Sequence, residues 1–115
     1  METVMVNVGR IVWTGSRVDD QRKNVEFVAE VLGRDEEYSG DNRGVTRTLY
    51  RADDGRLVVH SNAWSRFQNE PTEEWLELVT EDDLCVGGRF EDLGDACGFG
   101  RPLTLDEALA RSSMA

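Results

Sequence analysis

The sequence has little of several residue types that usually indicate a function. It contains one histidine, two cysteines and two prolines, and a single lysine among its 13 basic residues. No apolar run approaches the roughly 20 residues that a membrane-crossing helix needs. The first residues, METVMVNVGR, lack the basic and apolar regions of a secretory signal. We therefore expect a soluble, cytoplasmic protein that does not associate with membranes.

The scarcity of soft ligands and nucleophile motifs argues against several kinds of site. Cys85 and Cys97 are too far apart for a C-x-x-C pair, and two thiols are too few for a secreted disulfide scaffold, so we expect both to be reduced. Together with His60 they match no zinc module, and the acidic residues lack the spacing of a calcium loop. No G-x-S-x-G frame or dinucleotide-binding motif is present. The sequence predicts no metal site and no cofactor.

The negative charge is concentrated in one segment. The net charge is −10, and residues 68–95 hold ten acidic residues against Arg89 alone, whereas residues 1–67 hold eleven acids and ten bases. Such a surface repels nucleic-acid phosphates and favours cationic partners. We expect a partner protein with a basic surface and no direct nucleic-acid binding. A GC-rich genome or adaptation to salt would also explain the acidity and the bias toward arginine.

Alternating apolar residues predict four strands. The segment TVMVNVGRIVW alternates valines with polar or small residues, and Gly9 is a candidate bulge within it. Asp54-Gly55 has the preferred chemistry of a two-residue hairpin loop, and EEWLELV alternates again after Pro71. The predicted strands are 4–13, 46–52, 56–64 and 74–79, with the last three forming an antiparallel meander.

The predicted hairpin assigns side chains to faces of the sheet. A two-residue loop would place Tyr50 opposite Val59 on an apolar face. His60 would then lie on the other face, beside Arg47 and Arg51. These three residues form a candidate anion-binding set, with His60 as the one candidate catalytic base.

Two helices are predicted from a different periodicity. Apolar residues at positions 25, 28, 29 and 32 follow the spacing of a helix face, and acidic residues before them and Gly33 after them suit the ends of a helix over 19–32. Thr104 and Glu107 have the spacing of a capping box that would begin a short C-terminal helix.

These elements predict an α+β fold. We expect a mainly antiparallel sheet of three to five strands, with helix 19–32 packed on one face and the short helix at the C-terminus. The 115 residues are predicted to form a single compact domain over 1–115 that frays after residue 111. An open edge at strand 74–79 or 4–13 would permit a homodimer.

The most prominent candidate binding residues combine aromatic and charged side chains. Tryptophan and arginine are enriched at binding hot spots, and the acidic segment begins beside them, although tryptophans in a small domain commonly anchor the core instead. The candidate binding surface comprises Trp64, Arg66, Trp75, Glu73, Glu74 and Glu77.

Three functions remain open on the sequence alone. We favour a small non-enzymatic interaction or regulatory protein of a bacterium, archaeon or phage that uses this acidic, aromatic-edged surface. The second is an acidic mimic of DNA that inhibits a nucleic-acid enzyme, of the anti-restriction or anti-CRISPR kind. The third is a small enzyme that uses His60 as base and Arg47 or Arg51 to bind an anionic substrate.

Overall fold

The computed structural model describes residues 1–99 and 104–112, and one antiparallel sheet dominates it. The six strands of this part of the chain lie in the order β2-β1-β3-β4-β5-β6, and β1 also pairs with β6. Short helices follow the last strand. The bounds are β1 Glu2–Thr14, β2 Arg17–Asp20, β3 Lys23–Tyr38, β4 Arg43–Ala52, β5 Leu57–Ser65, β6 Thr72–Val79, α1 Glu81–Leu84, α2 Glu91–Ala96 and α3 Leu105–Ser112.

The predicted helix over 19–32 is wrong, and with it the α+β fold of three to five strands. Residues 23–38 form the long strand β3. The segment carries both periodicities, because Val25, Phe27 and Ala29 also alternate with less apolar neighbours. Pairing decided between them: β1 lies alongside, with Val6 opposite Val25, so the β-branched residues pack across a ladder.

The pairings close into a ring of five strands. From the turn at Gly15, β1 pairs first with β2 and then with β3 in one long hairpin. This hairpin ends where Glu2 lies opposite Ala29. From Ala29 onward β3 pairs with β4, and β4, β5 and β6 follow as the predicted antiparallel meander. Residues 9–11 of β1 then pair with residues 72–74 of β6. Only three residue pairs therefore join the first strand to the last.

The turn at Asp54-Gly55 forms, but it contains one residue more than predicted. Tyr50 lies opposite Val58 rather than Val59, which leaves residues 53–55 as the loop. Its last residue has a φ of 89°, the left-handed conformation that a glycine adopts at the end of a three-residue hairpin loop. Because side chains alternate along a strand, this shift of one residue changes which side chains share a face.

Two apolar clusters lie on opposite faces of the β4–β6 meander. The long hairpin of β1 and the first half of β3 covers one face, and α1 and α2 cover the other. The hairpin-side cluster contains Val4, Val6, Val25, Phe27, Ala29, Tyr50 and Leu76. The helix-side cluster contains Leu49, Leu57, Val59, Val79, Leu84, Phe90 and Leu93, with Leu32, Cys97 and Phe99 packed against it.

The helices are short and held by local features. Thr80 caps α1, since its hydroxyl oxygen accepts from the Asp83 N–H while the Asp83 carboxylate accepts from the Thr80 N–H. A Cβ at Gly94 of α2 would fall 1.7 Å from the Leu84 carbonyl oxygen, so this close approach of α2 to α1 requires glycine. No helix in the described ranges is long and apolar enough to span a membrane.

The C-terminal helix α3 begins at Leu105, directly after the predicted cap Thr104. The side chain of Glu107 lies outside the described part of the chain. Fraying was predicted after residue 111, but Ser112 is the last residue of α3. Residues 113–115 lie outside the described part.

Candidate functional site

A buried charged cluster lies where β1 and β6 meet. The Glu74 side chain is 8 % exposed and that of His60 11 %. Nε2 of His60 lies 3.3 Å from Oε1 of Glu74 and 2.9 Å from the carbonyl oxygen of Asn7, across the ring on β1. Nη1 of Arg22 lies 3.4 Å from Oε2 of the same carboxylate. The buried negative charge of Glu74 is thus balanced by a guanidinium that is only part-exposed.

The neighbours of His60 determine its tautomer. Both groups near Nε2 are hydrogen-bond acceptors, so Nε2 carries a proton and donates it to the Asn7 carbonyl oxygen. The β1–β6 ladder stops at Gly9 and Glu74, two residues away from Asn7. The imidazole therefore satisfies a carbonyl of β1 at the point where β6 no longer pairs with it.

Arg22 is held in place from its other side by Asp20. The guanidinium Nε and Nη2 donate to Oδ1 and Oδ2 of this carboxylate, each at 3.0 Å, and the Arg22 backbone N–H donates to Oδ1 as well. These hydrogen bonds lower the pKa of Asp20 to about 2. They fix the guanidinium for its contact with Glu74.

Gly9 permits the close packing around this cluster. It pairs with Glu74 and has a φ of 129°, a conformation that side-chain-bearing residues rarely adopt. A Cβ there would come within 2.7 Å of the Gln21 carbonyl oxygen and 2.9 Å of the Arg22 Cα atom. The predicted irregularity at Gly9 therefore lies at the point where the three strands converge.

The predicted anion-binding set is not brought together. The corrected register places His60 on the Tyr50 face of the meander, whereas Arg47 and Arg51 point to the other face. There Arg47 pairs with Asp35 at 3.2 Å, and Arg51 pairs with Glu30 at 3.4 Å. His60 instead contacts a carboxylate and a carbonyl oxygen, which are not groups that bind an anion.

The outer face of β6 is the face that it shares with Val59 of the helix-side cluster. It carries the predicted residues Glu73, Trp75 and Glu77. Trp75 is 38 % exposed, and it forms one wall of a shallow groove of about 510 Å³ at the fork between β1 and β6. Glu77 pairs with Arg89 at 3.4 Å. The groove is lined by Val8, Gly9, Arg10, Gln21, Glu73, Glu74 and Trp75.

The acidic segment divides into paired and unpaired carboxylates. Glu70 forms a bidentate pair with Arg43, Asp83 pairs with Arg89, and Glu74 is buried. Glu77 shares Arg89 with Asp83. The remaining six take part in none of the ion pairs of the described residues, and all but one lie on α1 and α2. These six are Glu73, Glu81, Asp82, Glu91, Asp92 and Asp95.

Trp64 and Arg66 lie apart from the Trp75 groove. Trp64 is three residues beyond the partner of Trp75 along β5, and since that separation is odd it faces the other side of the sheet. Its indole packs on the backbone of Gly44 and edge-on to Tyr38 at 5.9 Å, and Arg66 lies 5.3 Å from its ring centroid. The predicted binding residues therefore divide between two places.

A second cavity, of about 270 Å³, opens beside the far half of β6. Leu76 and Leu78 of β6 line it together with Phe27, and Leu78 is 60 % exposed. Polar groups stand at its rim, where Arg56 pairs with Asp54. The remaining lining residues are Val25, Ala52, Asp53, Val58 and Glu77.

Cys85 and Cys97 are both free thiols. Burial, with a smaller contribution from the charge of Asp35, raises the pKa of Cys97. Its sulfur packs against Gly33, where a Cβ would lie 2.5 Å from Sγ. This thiol therefore serves as part of the helix-side cluster. Among the described residues, no group of three or more His, Cys, Asp or Glu side chains could hold a metal ion.

The chain matches no protein family, no curated protein and no solved structure in comparisons with each. Sequence reasoning missed Asn7, Asp20 and Arg22 as members of the buried cluster. The Asp-x-Arg spacing at 20–22 was a local signal, because a carboxylate and a guanidinium two residues apart on one side of a chain can pair. The contacts with Glu74 and His60 had no such local signal.

Proposed function

We propose that this protein is a non-enzymatic interaction protein that binds a basic segment of another protein along β6. The binding surface comprises the Trp75 groove, Glu73 and Glu77 on the outer face of the strand, and the carboxylates of α1 and α2. The observation that supports it is the half-exposed Trp75 in a groove also lined by Glu73, a carboxylate that takes part in none of the ion pairs of the described residues.

Charge and composition both favour a basic partner. The two short helices and the turn between them, residues 81–95, carry six acids against Arg89, and that arginine is engaged by Asp83 and Glu77. Unpaired surface carboxylates accelerate and orient the approach of a cationic surface. An exposed tryptophan in a groove supplies the desolvated apolar contact that usually dominates affinity.

The two other functions receive less support from the arrangement. A mimic of DNA needs a continuous row of free carboxylates, and here Glu74 is buried while Glu70 and Asp83 are neutralised by arginines. The enzyme hypothesis needs Arg47 or Arg51 beside His60, and both lie on the opposite face.

A tryptophan pair tests the proposal. Trp75→Ala is compared with Trp13→Ala, because Trp13 is 51 % exposed in the β1–β2 hairpin and is not among the residues that line the groove. The probe is an acetylated, amidated lysine–valine peptide, titrated by calorimetry at low and physiological salt. We expect Trp75→Ala to weaken binding about tenfold or more, Trp13→Ala to leave it unchanged, and added salt to weaken it.

Two results would contradict the proposal. One is affinity that does not respond to salt, since charge would then make no contribution. The other is equal loss of affinity in both tryptophan variants, because a loss shared with the distant Trp13 would not come from the β6 groove.

A further inference from the structure

The edge of β6 that faces β1 is paired as far as Glu74 and is not paired with β1 beyond it. The Arg10 carbonyl oxygen accepts from the Gln21 N–H, so the backbone of Arg10 faces the β2–β3 side of β1. Hydrogen-bonding direction alternates along a strand, so the backbone of its neighbour Gly9 faces β6 and that of Glu74 faces β1. By the same alternation, Leu76 and Leu78 present their N–H and C=O groups on this edge.

Beyond Glu74 this edge has no strand beside it in the described ranges. The β1–β6 pairs end at Gly9 and Glu74, whereas β6 continues to pair with β5 as far as Val79. At the fork between β1 and β6, the His60 imidazole is hydrogen-bonded to the Asn7 carbonyl oxygen. The edge of β6 beyond Glu74 is therefore not paired with β1. An open edge with exposed apolar residues is a template for another strand.

The two sides of this half-strand differ in chemistry. Leu76 and Leu78 point toward the apolar cavity that Phe27 also lines. Trp75 and Glu77 point to the outer side, where Arg89 joins Glu77 to Asp83 of α1. A strand added here would place alternate side chains in an apolar and in an acidic environment.

We infer that the partner segment binds by strand addition, pairing with the β6 edge beyond Glu74. It alternates apolar side chains, which enter the cavity lined by Leu76 and Leu78, with lysines or arginines that face Glu73 and the helix carboxylates. This inference rests on the proposed function, since it specifies how the basic segment is held. The charge of the surface identifies the occupant as a basic segment rather than a second copy of this acidic chain.

Four synthetic peptides test this mode of binding. The parent alternates lysine and valine over seven residues, and a control has the same composition as a lysine block followed by a valine block. Two further peptides carry N-methyl groups on all valine amides or on all lysine amides. In a strand the amides of alternate residues point to opposite edges, so only one methylated set removes the donors that face β6.

We expect the block peptide and one N-methylated peptide to bind about tenfold or more weakly than the parent, and the other methylated peptide to bind like the parent. We also expect the amides of Leu76 and Leu78 to become protected from hydrogen exchange when the parent peptide binds. Both observations are made on the full chain, and neither requires a substitution in the protein.

Three other outcomes would overturn the inference, and they are distinguishable. Equal, salt-sensitive binding of all four peptides would leave the proposed function standing and exclude strand addition. No binding of any peptide at low salt would remove both. A dimer of the free protein, with Leu76 and Leu78 already protected from exchange, would assign the edge to a second copy.

Discussion

The two halves of β6 have opposite environments although they belong to one continuous strand. Residues 72–74 all pair with β1, Glu73 and Glu74 also pair with β5, and the Glu74 side chain is enclosed by Arg22 and His60. Residues 75–79 are paired on one side only, and they expose Trp75 and Leu78. The first half closes the ring of strands by pairing with β1. The second half has a strand beside it on one edge only.

This difference shows how one strand can close a sheet along part of its length and leave an edge unpaired along the rest. Three residue pairs alone are a short junction, so a buried carboxylate that pairs with Arg22 and contacts His60 adds interactions that resist its separation. A buried ion pair stabilises little in itself, but breaking it is costly, which makes the junction specific. The open half still supplies Leu76 and Val79 to the two apolar clusters, but its second edge pairs with no strand of the described ranges.

The largest effect is expected for Gly9→Val in the closed half. The side chain would overlap the Gln21 and Arg22 backbone and require a disfavoured φ, so the free energy of unfolding should fall by about 3 kcal/mol or more in urea denaturation. Gly55→Asn is the matched control. Gly55 also has a positive φ but open space around it, so about 1 kcal/mol or less is expected. Equal losses would show that crowding at the junction is not the cause.

A smaller effect is expected for Arg22→Met, which leaves Glu74 without its guanidinium. Because Arg22 is partly exposed, we expect a loss of about 2 kcal/mol, less than for a fully buried pair. Adding Glu74→Leu should recover much of it, which a double-mutant cycle measures. The control Arg89→Met removes an exposed pair and should cost much less than Arg22→Met. No recovery in the double variant would mean that Glu74 is not the group left uncompensated.

A still smaller effect is expected in the open half. Leu78→Ala removes a side chain that is 60 % exposed and should change the free energy of unfolding by no more than about 0.5 kcal/mol. Leu49→Ala, at a fully buried leucine of the helix-side cluster, should cost about 2–5 kcal/mol. If the two losses were similar, the half-strand beyond Glu74 would belong to the core.

The smallest effect is expected in how the stability of the fold depends on pH under acidic conditions. The pKa of Asp20 is lowered to about 2 in the folded protein, so its ionised carboxylate stabilises the fold above the ordinary aspartate pKa of about 3.9. That contribution is lost as the pH falls toward 2. The melting temperature of Asp20→Asn should therefore lie below that of the native protein at pH 5, and the two should converge near pH 2. A gap that is constant with pH would exclude a role for the Asp20 charge.

The strands that alternate clearly were predicted, whereas the short strand β2 and the segment with two periodicities, β3, were not. The meander of β4, β5 and β6 follows from local chemistry. Residues 23–38 satisfied a helix pattern and a strand pattern equally, and the outcome depended on β1 lying beside them. The hairpin residues were identified, but a loop longer by one residue moved His60 away from Arg47 and Arg51.

The candidate site was predicted in part. Trp75, Glu73 and Glu77 were named together and do share the outer face of β6. Glu74 was grouped with them because it is acidic and adjacent, but alternation turns it inward. Trp64 and Arg66 were grouped with Trp75 by sequence proximity, and an odd separation along β5 places them on the opposite face.

Composition and local pattern alone determined the concentration of charge in residues 68–95, the positions of the turns, and the meander that follows residue 43. Only the tertiary structure decided that β3 is a strand, that β1 returns to β6, and that one glutamate of the acidic segment is buried beside His60. The physical reason is that charge and turn chemistry are properties of neighbouring residues. Pairing partners and burial instead depend on contacts between residues as distant as Asn7 and His60.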